Sequence, residues 1–374
     1  YSSSEEVQNI NEFYPKELAV TNSRVDGLEV RMNDFEAGSF STTTSASFGA
    51  DFVVGTIDGA STESITFEYQ FGMDLSTSFT GDDELALTLE TGNGTSPVAT
   101  ILDMNGMSDA MTLDGISYTF PLGDKLTVMV GDSTDVSALY STACTYSAFT
   151  DLLGDCGSGT AAGLGGGTTD NNSAATTDDA SSATIAAAYD FGNGLTVAGG
   201  MSGAGGDSAG LFTQDSLDVY GLQAAYNTDT YGISVSYALT EGQNSVLEHP
   251  DDGYETTFWG LNGFYSFEDS SLPSISVGYE AEDRGCSKDC TNFPSLEKSG
   301  FFVGLTWDSI GPGSLSTGLS TVTNYQESDT EYYQYEAAYA YPVNDGVTVT
   351  PGVFIKETSG DDETGIIVKT SFSF

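Results

Sequence analysis

The closing stretch Thr364–Phe374, TGIIVKTSFSF, decides the fold. Ile366, Val368, Thr370, Phe372 and Phe374 fall on one face of an extended chain; Gly365, Lys369, Ser371 and Ser373 fall on the other. Side chains alternate across a strand, so this is a ribbon with one apolar and one polar side. Working back along the chain, the pattern recurs. Ile65, Phe67, Tyr69, Phe71, Met73 and Leu75 alternate with Thr66, Glu68, Gln70, Gly72, Asp74 and Ser76. Tyr231, Ile233, Val235, Tyr237 and Leu239 alternate with Gly232, Ser234, Ser236 and Ala238, and Tyr333, Tyr335, Tyr339 and Tyr341 face away from Gln334 and Glu336. A soluble sandwich also alternates, so the number of segments and their connections must separate the two readings.

Sixteen such segments are predicted after Gly38, the last beginning near Thr364. Tight connections such as Thr80-Gly81-Asp82, Gly192-Asn193-Gly194 and Asn344-Asp345-Gly346 carry hairpin-turn chemistry. They alternate with long loops around residues 92–110, 132–181, 202–215, 241–254 and 282–297. Short turns on one rim, long loops on the other and an even strand number describe an all-β membrane protein, a 16-stranded antiparallel transmembrane β-barrel over 38–374 in the outer membrane. Phe372 and the terminal Phe374 read as the signal for membrane assembly. A barrel of this size holds an aqueous channel rather than a packed core.

Composition fits. A transmembrane helix needs about 18 consecutive apolar residues, and no such run exists. No signal peptide is present at Tyr1, which reads as a mature or trimmed chain. The 45 glycines suit strands that must coil around an open lumen, and the 20 tyrosines and 21 phenylalanines, with Trp259 and Trp307, supply interfacial girdles.

The connection 132–181 is long enough to fold inward and narrow the lumen. Its first half holds Cys144 and Cys156 around an apolar stretch; its second half is rich in Gly, Ser, Thr, Ala and Asp. Four cysteines in two close pairs, in an exported chain, predict disulfides Cys144–Cys156 and Cys286–Cys290. A metal site is the sharper alternative, but the one histidine, His249, lies in a separate loop, so no resident metal or cofactor is expected. Acidic stretches such as Asp251-Asp252 and Asp361-Asp362-Glu363 lack EF-hand spacing; Ca2+ there would be opportunistic.

Residues 1–37 differ from everything after them. Leu18, Val25, Leu28, Met32 and Phe35, with Thr21, keep an a/d heptad register behind Pro15. This predicts a short coiled-coil stem, the alternative being one amphipathic helix packed on the barrel or plugging it. The block Tyr14–Phe40, YPKELAVTNSRVDGLEVRMNDFEAGSF, leading straight into a first strand, resembles the joint in cyanobacterial outer-membrane porins. In that family an S-layer-homology domain grips the cell wall, followed by a coiled-coil linker and a barrel related to carbohydrate-selective porins. The S-layer-homology domain is absent from this chain. The resemblance implies a homotrimer with narrow channels for ions and small solutes, contact with outer-membrane lipids and lipopolysaccharide, and a peptidoglycan link through the absent domain.

Charge refines the expectation. Nine basic residues stand against 55 acidic ones, for a net charge of −46, and Lys125 is the only base between Arg31 and Arg284. By parity or loop position, the expected pore lining is Asp51, Glu68, Asp74, Glu90, Asp132, Asp135, Asp190, Glu280 and Glu336, with Lys125, Lys356 and Lys369. Rings of acids favour cations, whereas anion channels need basic clusters absent here. The sequence therefore predicts a passive, cation-favouring diffusion channel with no partner of nucleic acid. A neutral-solute or sugar porin, with Phe258, Phe264, Phe302 and Phe354 as an inward aromatic track, is the alternative; a tether between outer membrane and wall is another. Catalysis by Ser-His-Asp needs a histidine placed by an acid, and His249 in a turn-like loop does not supply it, so no enzyme is expected.

Overall fold

The structure, a computed structural model, describes residues 43–104, 106, 108–157, 182–204, 217–242, 254–268, 271–285, 296–321 and 330–374. The predicted stem 1–37, His249, the Cys286–Cys290 pair and the second half of the 132–181 loop lie outside the described residues.

Sixteen antiparallel strands close into one barrel, each bonded to its sequence neighbours and the last to the first. They are β1 (Thr44–Asp58), β2 (Thr66–Thr77), β3 (Glu84–Gly92), β4 (Thr112–Leu122), β5 (Leu126–Asp132), β6 (Ser182–Asp190), β7 (Leu195–Ala204) and β8 (Leu217–Asn227). The second half comprises β9 (Tyr231–Gly242), β10 (Tyr254–Tyr265), β11 (Ser274–Arg284), β12 (Leu296–Ile310), β13 (Gly313–Thr321), β14 (Tyr333–Asn344), β15 (Val347–Lys356) and β16 (Glu363–Ser373). The one α-helix among the described residues, α1 (Pro97–Ile101), sits in the β3–β4 loop and is capped by Ser96. It is far too short to cross a membrane; the strands are the elements of membrane-spanning length.

The closing seam runs from Gly49 opposite Ser373 to Asp58 opposite Thr364. Outside it, Phe48 stacks on Phe374 at 5.7 Å, and the two residues exchange backbone hydrogen bonds of 2.9 and 3.1 Å. The last residue of the chain thus completes the ladder. The exterior follows the predicted parity: Phe67, Ile233, Leu261, Val277, Val353 and Ile366 are all exposed, while Ser234, Ser236, Gln334 and Ile367 beside them are buried. A closed barrel satisfies the N–H and C=O groups of its strands internally, which is what an apolar belt facing lipid requires.

Seven connections on one rim are short. At Gly192-Asn193-Gly194 both glycines have positive φ, and a Cβ on Gly194 would sit 2.5 Å from the Asn227 carbonyl oxygen, so this turn requires glycine. The longer β2–β3 turn is held by Asp83. Its Oδ1 accepts from the Phe79 N–H at 2.9 Å, the Thr80 N–H at 2.7 Å and both the Ser78 and Thr80 hydroxyls, and its Oδ2 accepts from Tyr118 at 2.6 Å. The Tyr118 hydrogen bond, with the turn's own donors, holds the Asp83 carboxyl well below the usual carboxylate range.

Candidate functional site

The described part of the 132–181 loop, residues 133–157, enters the barrel and runs along the inner wall as a strap. Short polar wall side chains receive it. Ser234 Oγ accepts from the Ala143 N–H at 3.0 Å, Ser276 Oγ from the Thr145 N–H at 3.0 Å, and Thr306 Oγ1 from the Ser147 N–H at 3.3 Å. Gln223 accepts from the Ser141 N–H at 2.7 Å and donates to the Thr142 hydroxyl at 2.8 Å. The strap therefore crosses β8, β9, β11 and β12, and it reaches β14 at Glu336. Wall residues without a Cβ let it lie close. A Cβ on Gly221 would be 2.3 Å from Tyr140 Oη, on Gly304 2.4 Å from the Tyr146 ring, and on Gly352 2.2 Å from the Phe149 ring. The end of the strap, a 3-10 turn over Asp151–Gly157, comes back to β10 and β11: Asn262 Nδ2 donates to the Cys156 carbonyl at 3.0 Å. A disulfide joins Cys144 to Cys156, with Cα atoms 6.2 Å apart, and closes the inward segment into a ring.

Two expected lining acids are absorbed by the inward loops. Glu336 is buried and accepts from Tyr146, Phe149 and Thr150. Burial first, and then the Glu336 charge, push the Tyr146 hydroxyl far above the usual tyrosine range, so it stays a donor. Glu68 is also buried. It accepts from the Thr95 N–H at 2.8 Å, the Ser96 N–H at 2.9 Å and the Ser96 hydroxyl, and so fastens the start of α1 to β2. The two loops then meet. Val98, Ala99, Ile101 and Met104 around α1 pack with Phe149 of the strap and with Val53, Ile57, Phe354 and Ile367 of the wall. An apolar cluster inside the lumen was not legible in the sequence, although inward Val53, Ile57 and Ile367 at polar parity positions were its trace.

The remaining expected residues divide by place. Asp51, Asp74 and Glu90 face inward on β1, β2 and β3, a wall the strap does not contact among the described hydrogen bonds. Gln70 donates to Asp51 at 3.2 Å, and Thr88 donates to Asp74 at 3.0 Å. Glu90 lies opposite Gly72, two positions along β2 from Asp74. Lys369 faces inward opposite Val53, one diagonal from Asp51. Glu280 is buried on the inward face between Gly260 and Gly300. Lys356 is inward too and pairs with Glu363 at 3.8 Å near the long-loop rim. Lys125 and Asp190 lie at the opposite, short-turn rim, both exposed: Lys125 donates to the Phe191 carbonyl at 3.0 Å, and Asp190 accepts from the Gly192 N–H at 2.7 Å. Asp135 is exposed at the start of the strap.

Asp132 is a correction. Strand β5 continues through it, pairing it with Ile116 and Ala183, so it shares the outward face with exposed Val130 and Ile185. Its position at the strand's end, beside the long loops, keeps that charge out of the apolar belt. Three of the four phenylalanines expected to face inward are taken up by packing rather than set in an open track, Phe264 being the half-buried fourth. Phe302 is buried under Tyr146 at 5.0 Å, Phe354 belongs to the apolar cluster, and Phe258 packs with Val136 of the strap. Among the described residues no group of three or more His, Cys, Asp or Glu is arranged to hold a metal ion.

A closed sixteen-stranded barrel with an apolar exterior and a loop strapped inside defines a porin-type fold. The chain resembles a loop-deletion mutant of OmpT, an outer membrane protein of Vibrio cholerae, over 89% of its own length and 99% of that chain, at TM-score 0.61 and 12% identity. It resembles Pseudomonas putida OprB over 89% and 94% of the two chains, at TM-score 0.62 and 12% identity. A mutant of the Rh. blastica porin matches over 88% and 100%, at TM-score 0.54 and 16% identity. In sequence, the uncharacterized protein alr4550 of Nostoc sp. is 25% identical over 429 aligned positions, covering 98% of this chain and 72% of that protein. No family model matches.

Proposed function

We propose that this chain is an integral outer-membrane porin, a passive diffusion channel for inorganic ions and small hydrophilic solutes that favours cations. The observation that carries the preference is the pairing of surfaces across the lumen. Asp51, Asp74 and Glu90 line one wall, and the strap opposite has no Lys, Arg or His between residues 133 and 157. Acid on one side without base on the other concentrates cations and repels anions. The reading is a channel without catalytic activity. It includes a homotrimer in contact with outer-membrane lipid and lipopolysaccharide, and wall attachment through a domain preceding the stem.

The test is the zero-current potential of the reconstituted full chain in a planar bilayer under a potassium chloride gradient. The expected potential lies toward the potassium limit, and Asp51→Asn, Asp74→Asn and Glu90→Gln together move it toward zero. A potential near zero with clear conductance would favour the neutral-solute porin. No conductance would favour the tether.

A further inference from the structure

We propose that Glu336 is a positioning residue of the channel: its carboxylate fastens the strap to the wall and so sets the free cross-section, while ion choice rests with the acids of β1–β3. The inference depends on the channel reading above for its electrical readout, and on nothing but the strap for its structural one. By sequence alone Glu336 is one more inward acid. By geometry it is 3% exposed, and its two oxygens are filled by four donors. Oε1 accepts from the Tyr146 hydroxyl at 2.7 Å and the Phe149 N–H at 2.8 Å; Oε2 accepts from the Thr150 N–H at 2.9 Å and the Thr150 hydroxyl at 2.5 Å. All four donors are neutral and all belong to the strap, so the charge is spent on strap dipoles rather than presented to passing ions.

A buried carboxylate is tolerated only where such donors replace water, and charge-assisted hydrogen bonds are the strong ones. The surroundings are shaped for the same grip. Gly318, the cross-strand partner of Glu336, leaves room for Leu153 and Tyr146, which an added Cβ would meet at 2.5 and 2.6 Å. The Cys144–Cys156 disulfide bounds the gripped segment, so Glu336 holds the middle of a closed ring. Released from the wall, that ring has only the lumen to move into. Loss of Glu336 therefore narrows and destabilises the open path rather than changing which ion prefers it.

The experiment compares the full chain with Glu336→Gln, Glu336→Ala and Asp74→Asn. In single-channel recordings both Glu336 variants are expected to show brief closures and lower mean conductance with the zero-current potential retained. Asp74→Asn is expected to keep a quiet trace and shift the potential. In detergent, hydrogen exchange at the Phe149 and Thr150 amides is expected to accelerate roughly tenfold or more in Glu336→Ala. Should the alanine variant fail to fold, Glu336→Gln keeps the shape and carries the comparison. A Glu336→Gln channel that is quiet but shifted like Asp74→Asn would make Glu336 a lining charge and overturn the proposal. Unchanged exchange at Phe149 and Thr150 would overturn it too. A wild-type barrel that does not conduct would sink the channel reading alone, and the exchange result would still decide the role of Glu336.

Discussion

Replacing Gly278 with alanine tests the strap at its tightest contact. A Cβ built there lies 1.7 Å from the Cys156 carbonyl oxygen, whereas ordinary contact begins at 3.4 Å, so that carbonyl must recede by about 1.7 Å. The 3.0 Å hydrogen bond from Asn262 to the same oxygen is lost on the way. Overpacking costs about 1–3 kcal/mol and the bond about 0.5–1.5 kcal/mol, so docking of the strap's end weakens by roughly 2–4 kcal/mol. The barrel itself keeps its ladder, because Gly278 has no positive φ and its pairing with Asn262 and Phe302 is unaffected. The readout is therefore local. Cys156 is 1% exposed and Cys144 is half-buried, so a small thiol reaches the Cys156 sulfur, though not that of Cys144, only when the end of the strap lifts. Its reduction rate in detergent should rise by about 30- to 700-fold at those free energies. Gly72→Ala is the control: it is also an inward strand glycine, but its added Cβ meets nothing nearer than Glu90 Oε1 at 3.9 Å, and stability should change by no more than ~1 kcal/mol. Equal reduction rates, within about threefold, for Gly278→Ala and Gly72→Ala would refute the docked strap.

Two further outcomes follow from the same geometry. Asp83 has a folded-state pKa below its unfolded one, so its contribution is fully present above the unfolded value of ~3.9 and is lost only as pH falls through the depressed value; protection of the Phe79 and Thr80 amides, taken relative to their intrinsic exchange rates, should hold at neutral pH and fall only in strong acid, whereas Asp83→Ala should lower it at neutral pH as well. Leu261 is exposed in the exterior belt, so Leu261→Lys should cost up to ~2–4 kcal/mol of stability in lipid, read by urea titration, while Ser47→Lys on the inward face of β1 should cost far less.

What the sequence disclosed follows from what leaves a periodic trace. The lipid belt demands an apolar residue at every second position, and Phe67, Ile233 and Val353 record that demand one by one. The seam was legible at Phe374 for the same reason. The strap was legible as a long inward-folding loop with a cysteine pair but not in its course along the wall, because its receivers, Ser234, Ser276 and Thr306, are what any wetted lumen wall would carry. Glu336 and Glu90 show how far parity reaches: both are inward acids in alternating strands, and only the loop folded over one of them makes it an anchor. The glycines Gly221, Gly278, Gly304, Gly318 and Gly352 were the available signal. Each stands at an inward position where a serine or threonine would serve a plain water-filled wall, yet each is where the strap or its disulfide presses closest.

On the channel reading proposed above, that division also bears on how a chain of net charge −46 would choose between ions. Charges in an open, wetted lumen are screened beyond about 8 Å at physiological ionic strength, so an acidic wall in a wide barrel would leave most of the cross-section neutral. The strap from β5–β6 fills part of that neutral volume from the β8–β14 side, and the β3–β4 loop fills more of it beside β1 and β2. The chain gives Glu68 and Glu336 to holding those loops and keeps Asp51, Asp74 and Glu90 facing the path that remains. The channel should therefore fail in two separable ways. Neutralising the acids of β1–β3 removes the preference and leaves the path. Releasing the strap disturbs the path while the acids stay charged, so conductance falls and the zero-current potential is retained.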